Sequence, residues 1–328
     1  MPTVGLAGAR ILITGGLGFI GSNLARRLVD LGAHITLLDC LEPGQGGSRH
    51  NIEGLGDRVR VEIGDLRDEA LLARIVPGQQ VVFNLAGQTS HLESMNDPQA
   101  DLELNCRAQL CLLEACRLHA SDSKVVFAST RQIYGRPDYL PVDEAHPLRP
   151  VDINGVHKLS GESYHLLYFR VYGLRSVALR LTNTYGPRMR IKDARQTFLG
   201  VWIRLALEGR PIEVWGGRQL RDFSYVDDAV DALMRCAEND DLNGGAYNLS
   251  GLPSKVSLIE TAALLASLTD GTFELREFPA ERRRIDIGDY YADDQLFRRV
   301  AGWAPVVPLA DGLERTLHYF RQNLRAYL

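Results

Sequence analysis

Residues 10–21, RILITGGLGFIG, constrain this chain more than any other stretch. Ile11, Leu12 and Ile13 read as a buried strand, a glycine turn follows, and a helix opens. The glycines fall at Gly15, Gly18 and Gly21. Gly15 allows a tight turn, Gly18 lets backbone approach a pyrophosphate, and Gly21 lets the helix pack closely on the strand. The helix start, at Phe19 and Ile20, offers unpaired N–H groups and a positive dipole end to phosphates. A glycine triplet alone also fits a turn in any α/β protein, so its surroundings decide.

Downstream, the helix runs to about residue 31, with Leu24, Leu28 and Leu31 on one face, and Gly32 ends it. Residues 33–39, AHITLLD, form a second buried strand that finishes on an acid. Asp39 lies 24 residues after Gly15, where a carboxylate accepts hydrogen bonds from the adenosine ribose and repels a 2′-phosphate. That position favours NAD over NADP, the alternative being a surface turn acid. Residues 41–57 read as a Gly-rich polar loop. Strands follow at 58–63, 80–85, 124–129 and 176–181, separated by helices over 68–76, 99–119 and 154–172. Strands alternating with helices, most of them continuously apolar, call for a parallel sheet covered on both faces. Beyond residue 182 the pattern is less regular: helices at 198–208, 227–238 and 257–268, and short strands at 212–215 and 246–249.

At 328 residues the chain can bury a large core and form two lobes. Its net charge of −4 gives no electrostatic case for nucleic acid or an anionic membrane. No apolar run approaches the roughly 20 residues of a membrane helix, and the start lacks a secretory pattern, so a cytoplasmic address is expected. The cysteines, at 40, 106, 111, 116 and 236, include no CxxC pair, and their number is odd. They therefore build no disulfide framework. The five-residue spacing of Cys106, Cys111 and Cys116 does not gather metal ligands on one helix face, and small core residues are the better reading.

Further motifs complete a pattern: Gly64-Asp65-Leu66, Asn84-Leu85-Ala86-Gly87, Ser129-Thr130 with Ile133-Tyr134-Gly135, Arg180 to Pro187 (RLTNTYGP), Arg221-Asp222-Phe223 with Tyr225-Val226-Asp227-Asp228, Tyr291-Ala292-Asp293, and Gly302-Trp303 with Pro305. In this order they resemble the extended short-chain dehydrogenase/reductases of the nucleotide-sugar epimerase and dehydratase type, similar to UDP-glucose 4-epimerase, over nearly the whole chain. The resemblance implies an α/β fold, a Rossmann-type doubly wound parallel sheet with a smaller, interwoven α/β substrate-binding lobe. The expected division is 1–182 plus about 222–250 for NAD, and about 183–221 plus 251–328 for the nucleotide sugar. By position, Gly15, Gly18 and Gly21 would hold the pyrophosphate of NAD, Asp39 its ribose, and Asp65 and Leu66 its adenine, while Ala86 and Gly87 line the cofactor. Thr130 would hydrogen-bond the reacting sugar oxygen, Asn183 would contact substrate, and Arg221 with one of Arg282–Arg284 (Arg283 the choice) would meet its diphosphate. A homodimer through the two long helices is also implied, with Leu110, Leu113, Leu166, Leu167 and Phe169 as candidate contacts.

Two departures stand out. The family pairs a Tyr and a Lys four apart on one helix face. The Lys binds the nicotinamide ribose and lowers the Tyr pKa, and the Tyr removes the hydroxyl proton. Here the Lys is Lys158 and the Tyr position holds Asn154, which has no useful pKa. Replacement bases are His91, in the loop after the fourth strand, His157 and, less suited, Tyr164. The positions after Thr130, where dehydratases place Asp-Glu and decarboxylases a Glu at the second, are Arg131 and Gln132, which disfavours both reactions. Arg131 suits either an anionic group or an ion pair. The expectation is therefore an NAD-dependent nucleotide-sugar epimerase with a non-standard acid/base. Its alternatives are a catalytically silent NAD and nucleotide-sugar binder, or a dehydratase, decarboxylase or keto-sugar reductase.

Overall fold

The computed structural model describes residues 5–42, 45–195, 197–278 and 286–328. Its frame is one seven-stranded sheet: β1 (Arg10–Thr14), β2 (His34–Asp39), β3 (Val59–Ile63), β4 (Val81–Asn84), β5 (Lys124–Thr130), β6 (Arg175–Leu181) and, from the second half of the chain, Ala246–Asn248. Every pairing in it is parallel. The spatial order is Ala246–Asn248, β6, β5, β4, β1, β2, β3. The chain winds outward from β1 to β3, then returns to β4 and winds the other way. The crevice between the ends of β1 and β4 is thus the switch point where such sheets bind ligands.

Apolar alternation within the strands explains the two-sided cover. Ile11, Ile13, Val81, Phe83 and Val126 join one core cluster, while Leu12, Val82 and Val125 join another on the opposite face. Helix α1 (Phe19–Asp30) lies on the first face. Helix α2 (Glu69–Ile75) lies on the second. After β4 come α3 (His91–Asn96), α4 (Pro98–Leu102), a π-helical turn Glu103–Arg107, α5 (Ala108–His119) and the long α6 (Ile153–Tyr172).

The second half of the chain supplies β7 (Asn183–Tyr185), α7 (Phe198–Leu207), β8 (Ile212–Trp215), β9 (Leu220–Arg221), β10 (Phe223–Tyr225), α8 (Val226–Glu238), β11 (the sheet strand Ala246–Asn248), β12 (Val256–Ser257), α9 (Leu258–Ser267), β13 (Phe273–Arg276), α10 (Gln295–Ala301) and α11 (Leu309–Asn323). Of these, β11 joins the central sheet and α8 packs against α1, β5 and β6, while β7–β10, β9–β12 and β8–β13 form three separate strand pairs.

Several expectations need correction. The helix expected over 99–119 runs unbroken over 98–119, but it contains a π-helical turn that carries buried Asn105 and Cys106 between α4 and α5. A helix that takes an extra residue into one turn commonly marks a functional site. His91 is not in a loop; it opens α3, capped by the Ser90 side chain. The loop over 41–57 contains two short 3-10 turns, Arg49–Ile52 and Gly56–Arg58. Of the residues expected on a dimer face, Leu113 is wholly buried in the second core cluster. Phe169 packs against Gly244, where an added Cβ would meet its ring at 2.3 Å. Cys106 and Cys116 are buried. Among the described residues no His/Cys/Asp/Glu group could hold a metal ion, and no helix is long and apolar enough to cross a membrane.

Candidate active site

The glycine turn is built by close approach. Gly15 sits at φ +65°, and its ideal Cβ would lie 3.0 Å from the Ala86 nitrogen across the switch point. A Cβ on Gly21 would lie 2.3 Å from the Gly15 carbonyl, so α1 can start where it does only with glycine there. Helix α1 has Gly18 at its N-cap and no side-chain cap, which leaves first-turn N–H groups for a ligand. Below the turn, the Thr14 hydroxyl accepts from the Leu85 and Ala86 nitrogens at 3.2 Å and donates to Asn84 Oδ1 at 2.9 Å. One buried hydroxyl thereby fixes the β1 and β4 loop ends against each other. Asn84 Nδ2 in turn donates to Gln109 Oε1 at 2.6 Å and lies 3.1 Å from His165 Nε2. Burial pushes the His165 ring down to about 4, so the imidazole is neutral.

Asp39 ends β2, with Oδ2 accepting from the Leu17 nitrogen at 3.0 Å and Oδ1 from the Leu41 nitrogen at 2.9 Å. Burial raises its pKa against those two donors. The cleft is lined by Gly15, Gly18, Phe19, Ile20, Gly21, Asp39, Asp65, Leu66, Ala86 and Gly87 among others, and is open to solvent. Every glycine-loop, ribose and adenine residue expected from sequence thus meets in one cleft. Asp65 is held by Arg67, whose Nη2 lies 2.6 Å from its Oδ2. The hydrogen bonds from Arg67 lower the Asp65 pKa.

Lys158, buried on α6, comes up against Gly87 at the edge of that cleft. A Cβ added to Gly87 would lie 2.8 Å from Lys158 Nζ and 2.6 Å from Asn105 Oδ1. Burial pushes the Lys158 ammonium down to about 8, with Asp101 and then Cys106 acting the other way. Asn105, set by the π-helical turn, donates to the Gln88 carbonyl at 3.1 Å. Its buried Oδ1 has no hydrogen-bond partner. Sequence reasoning missed Asn105; its only signal was a buried amide interrupting an apolar helix pattern. NAD fits this arrangement: uncapped helix N–H groups face its phosphates, an acid ends β2, and an orphaned acceptor and an ammonium press on the turn after β4.

Asn154 occupies the inner face of α6, 2% exposed. Its Nδ2 donates to the Gln88 carbonyl at 2.9 Å and to Asp101 Oδ2 at 3.1 Å. Its backbone nitrogen donates to Ser94 Oγ at 3.2 Å. Both amide protons are therefore committed to protein acceptors. The other Asp101 oxygen lies 2.7 Å from His157 Nδ1, so one fully buried carboxylate ties Asn154 and His157 together. His91 Nδ1 lies 3.1 Å from Asp152 Oδ2, with the His91 side chain 37% exposed. Tyr164 packs against the second core cluster.

Thr130 ends β5 and accepts from the Gln132 nitrogen at 3.2 Å, keeping its own proton to donate. Beneath it lies a buried ion pair: Arg180 Nη2 to Glu162 Oε1 at 2.6 Å, with Ser129 Oγ donating to Glu162 Oε2 at 2.6 Å. Asn183 donates to the Asp222 carbonyl at 3.0 Å and accepts from Arg131 Nη2 at 3.1 Å. Arg221 is 7% exposed, with Nη1 donating to the Leu220 and Gly288 carbonyls. Burial, then the neighbouring Arg131 charge, lowers its pKa. Gln132 Nε2 donates to Asp152 Oδ2 at 2.8 Å. Arg283, with Arg282 and Arg284, lies outside the described residues.

Comparison with known proteins gives a consistent assignment. The family described as NAD dependent epimerase/dehydratase matches residues 11–250. A UDP-glucose 4-epimerase of Mycolicibacterium smegmatis is 32% identical, covering 96% of this chain and 99% of its own. The structure of the epimerase Mth375 from Methanothermobacter thermautotrophicus superposes with a TM-score of 0.91 at 26% identity, covering 98% of this chain and 95% of that one. A UDP-glucuronic acid 4-epimerase from Bacillus cereus, solved with UDP-glucuronic acid and NAD, gives 0.85 at 28% identity, over 95% and 99%.

Proposed function

The chain belongs to the NAD dependent epimerase/dehydratase family, and we propose that within it this protein is a nucleotide-sugar epimerase with a non-standard acid/base. The observation that carries the reading is the Gly87 turn, where Lys158 and Asn105 converge on the cleft that Gly15, Gly18, Gly21 and Asp39 line. NAD, the cofactor of this family, would supply reversible hydride transfer at a sugar carbon, the chemistry that inversion of that carbon needs. The residues orient and protonate. Thr130 donates to the reacting sugar oxygen, and Lys158 supplies positive charge beside the cofactor turn. Arg221 meets the diphosphate, a fork of donors against phosphate oxygens, and Arg283 is placed there by family position only. Asn183 contacts substrate through the edge it does not give to Asp222 and Arg131.

Asn154 cannot move a proton, and its amide is fixed. His157, its ring oriented at Nδ1 by buried Asp101, keeps Nε2 for proton transfer. His91, facing Asp152, is the second candidate. Arg131 and Gln132 provide no carboxylate after Thr130, which sets dehydration and decarboxylation aside. A silent binding protein is the reading that Asn154 alone supports.

An apolar stripe on α6, Val156, Leu167 and Val171, with Leu118 of α5, stays exposed; we assign it to a homodimer. The division into 1–182 plus about 222–250 and about 183–221 plus 251–328 is kept as the proposed lobes. Five unpaired cysteines suit a reducing cytoplasm.

The test compares wild type with His157→Gln and His91→Gln on a panel of UDP-sugars and CDP-sugars, the product epimer being resolved by chromatography. Loss of turnover in His157→Gln on the order of 10²–10⁴-fold supports the reading. Unchanged turnover in both variants removes histidine as the base, and no epimer from wild type on any sugar leaves the silent binder.

A further inference from the structure

Arg131 is a cation in search of an anion. It follows Thr130 directly and lies with its guanidinium carbon 5.2 Å from the centroid of the Tyr290 ring. Its Nη2 is spent on Asn183 Oδ1. Its Nη1 is buried with no hydrogen-bond partner. The carboxylates around it are otherwise engaged. Asp222 accepts from the Thr182 hydroxyl, the Ala292 nitrogen and Ser250 Oγ. Asp152 accepts from Gln132 and the Gly155 nitrogen and faces His91. Asp286 Oδ1 stands 3.8 Å from Arg221 Nη2. Burial dominates at Arg131 and lowers its pKa, as expected where no neighbour fully neutralises a charge.

A buried donor left without an acceptor is costly, and a guanidinium edge near a second buried arginine, Arg221, whose own charge it opposes, attracts more than one negative charge. Resting on the epimerase reading, with Arg221 serving the diphosphate, we propose that the sugar itself carries a carboxylate and that Arg131 binds it, making the substrate a nucleotide hexuronate and Arg131 its specificity residue. The geometry gives the reason: the Arg131 Nη2 lies 3.1 Å from the Oδ1 of Asn183, the residue assigned to the substrate, which puts the free Nη1 on the sugar side.

The experiment titrates NAD-loaded, full-length protein with UDP-glucuronate, UDP-glucose and UDP by calorimetry, in wild type, Arg131→Gln and Arg131→Lys. Wild type is expected to bind UDP-glucuronate on the order of 10- to 100-fold more tightly than UDP-glucose. Arg131→Gln erases that preference, Arg131→Lys restores part of it, and UDP binding stays within about twofold in all three, which also reports a folded site. Equal binding of the two sugars by wild type overturns the inference and leaves the epimerase reading standing. So does an Arg131→Gln loss as large for UDP as for UDP-glucuronate, which assigns Arg131 to the diphosphate. Wild type that binds none of the three ligands fails the site reading, and the inference falls with it.

Discussion

The two sides of the cleft are made of different material. The cofactor side is mostly backbone: Gly15, Gly18 and Gly21 shape it, and the contacts that require glycine are to main-chain atoms, such as the 2.3 Å approach of a Gly21 Cβ to the Gly15 carbonyl. The sugar side is built on side chains held by single hydrogen bonds: Arg131 donates to Asn183, Asn183 to the Asp222 carbonyl, and Asn154 to Asp101. A backbone cradle tolerates almost no change in its own residues and little depends on their functional groups. A side-chain network can exchange one titratable group for another. Such a division lets the cofactor turn stay intact while the sugar side carries an amide, Asn154, where the resemblance implies a tyrosine.

The largest effect is expected at Lys158, which stands at the cofactor turn on the helix that carries Asn154. Lys158→Met is expected to lower turnover on the order of 10²–10⁴-fold, measured as epimer formed per minute. Its ammonium is present below about pH 8 and lost above it, so turnover should fall through that pH. Lys158→Arg, always charged, should move the alkaline limb upward.

The cofactor side also carries a pH signature in stability. His165 stays neutral in the fold down to about pH 4, whereas it takes up a proton near its ordinary value of 6.5 when unfolded. The stabilisation is complete above about 6.5 and lost as pH falls towards 4. Roughly 3 kcal/mol should disappear across that window, and His165→Gln should flatten it in denaturant titrations.

A smaller effect is expected at Asp39. Asp39→Asn should weaken NAD binding about tenfold and narrow the preference over NADP, as read by equilibrium titration. Equal loss for both cofactors would mean that the carboxylate only braces Leu17 and Leu41.

Most of the cofactor side was legible in the sequence because its determinants are local: a glycine spacing, a buried strand, an acid at the next strand's end. The parallel sheet was legible too, from continuous apolar strands at regular intervals. What escaped depends on contacts between distant residues. Asn105 matters because a π-helical turn brings it to Gly87, and nothing in the apolar pattern of 99–119 marks that extra residue. Asp101 matters because it holds Asn154 and His157 at once, across 53 and 56 positions of chain. The pairs β9–β12 and β7–β10 have strands of two or three residues, too short for a period of two to register. α11 announced itself only through Leu309, Leu313, Leu317 and Phe320, all buried.

The central claim is that the cradle works with a proton carrier other than residue 154. The direct measurement is turnover of wild type beside Asn154→Tyr, both NAD-loaded, on the same nucleotide sugars including a hexuronate. Wild type is expected to form an epimer unaided. Activity that appears only when tyrosine stands at 154 would contradict it.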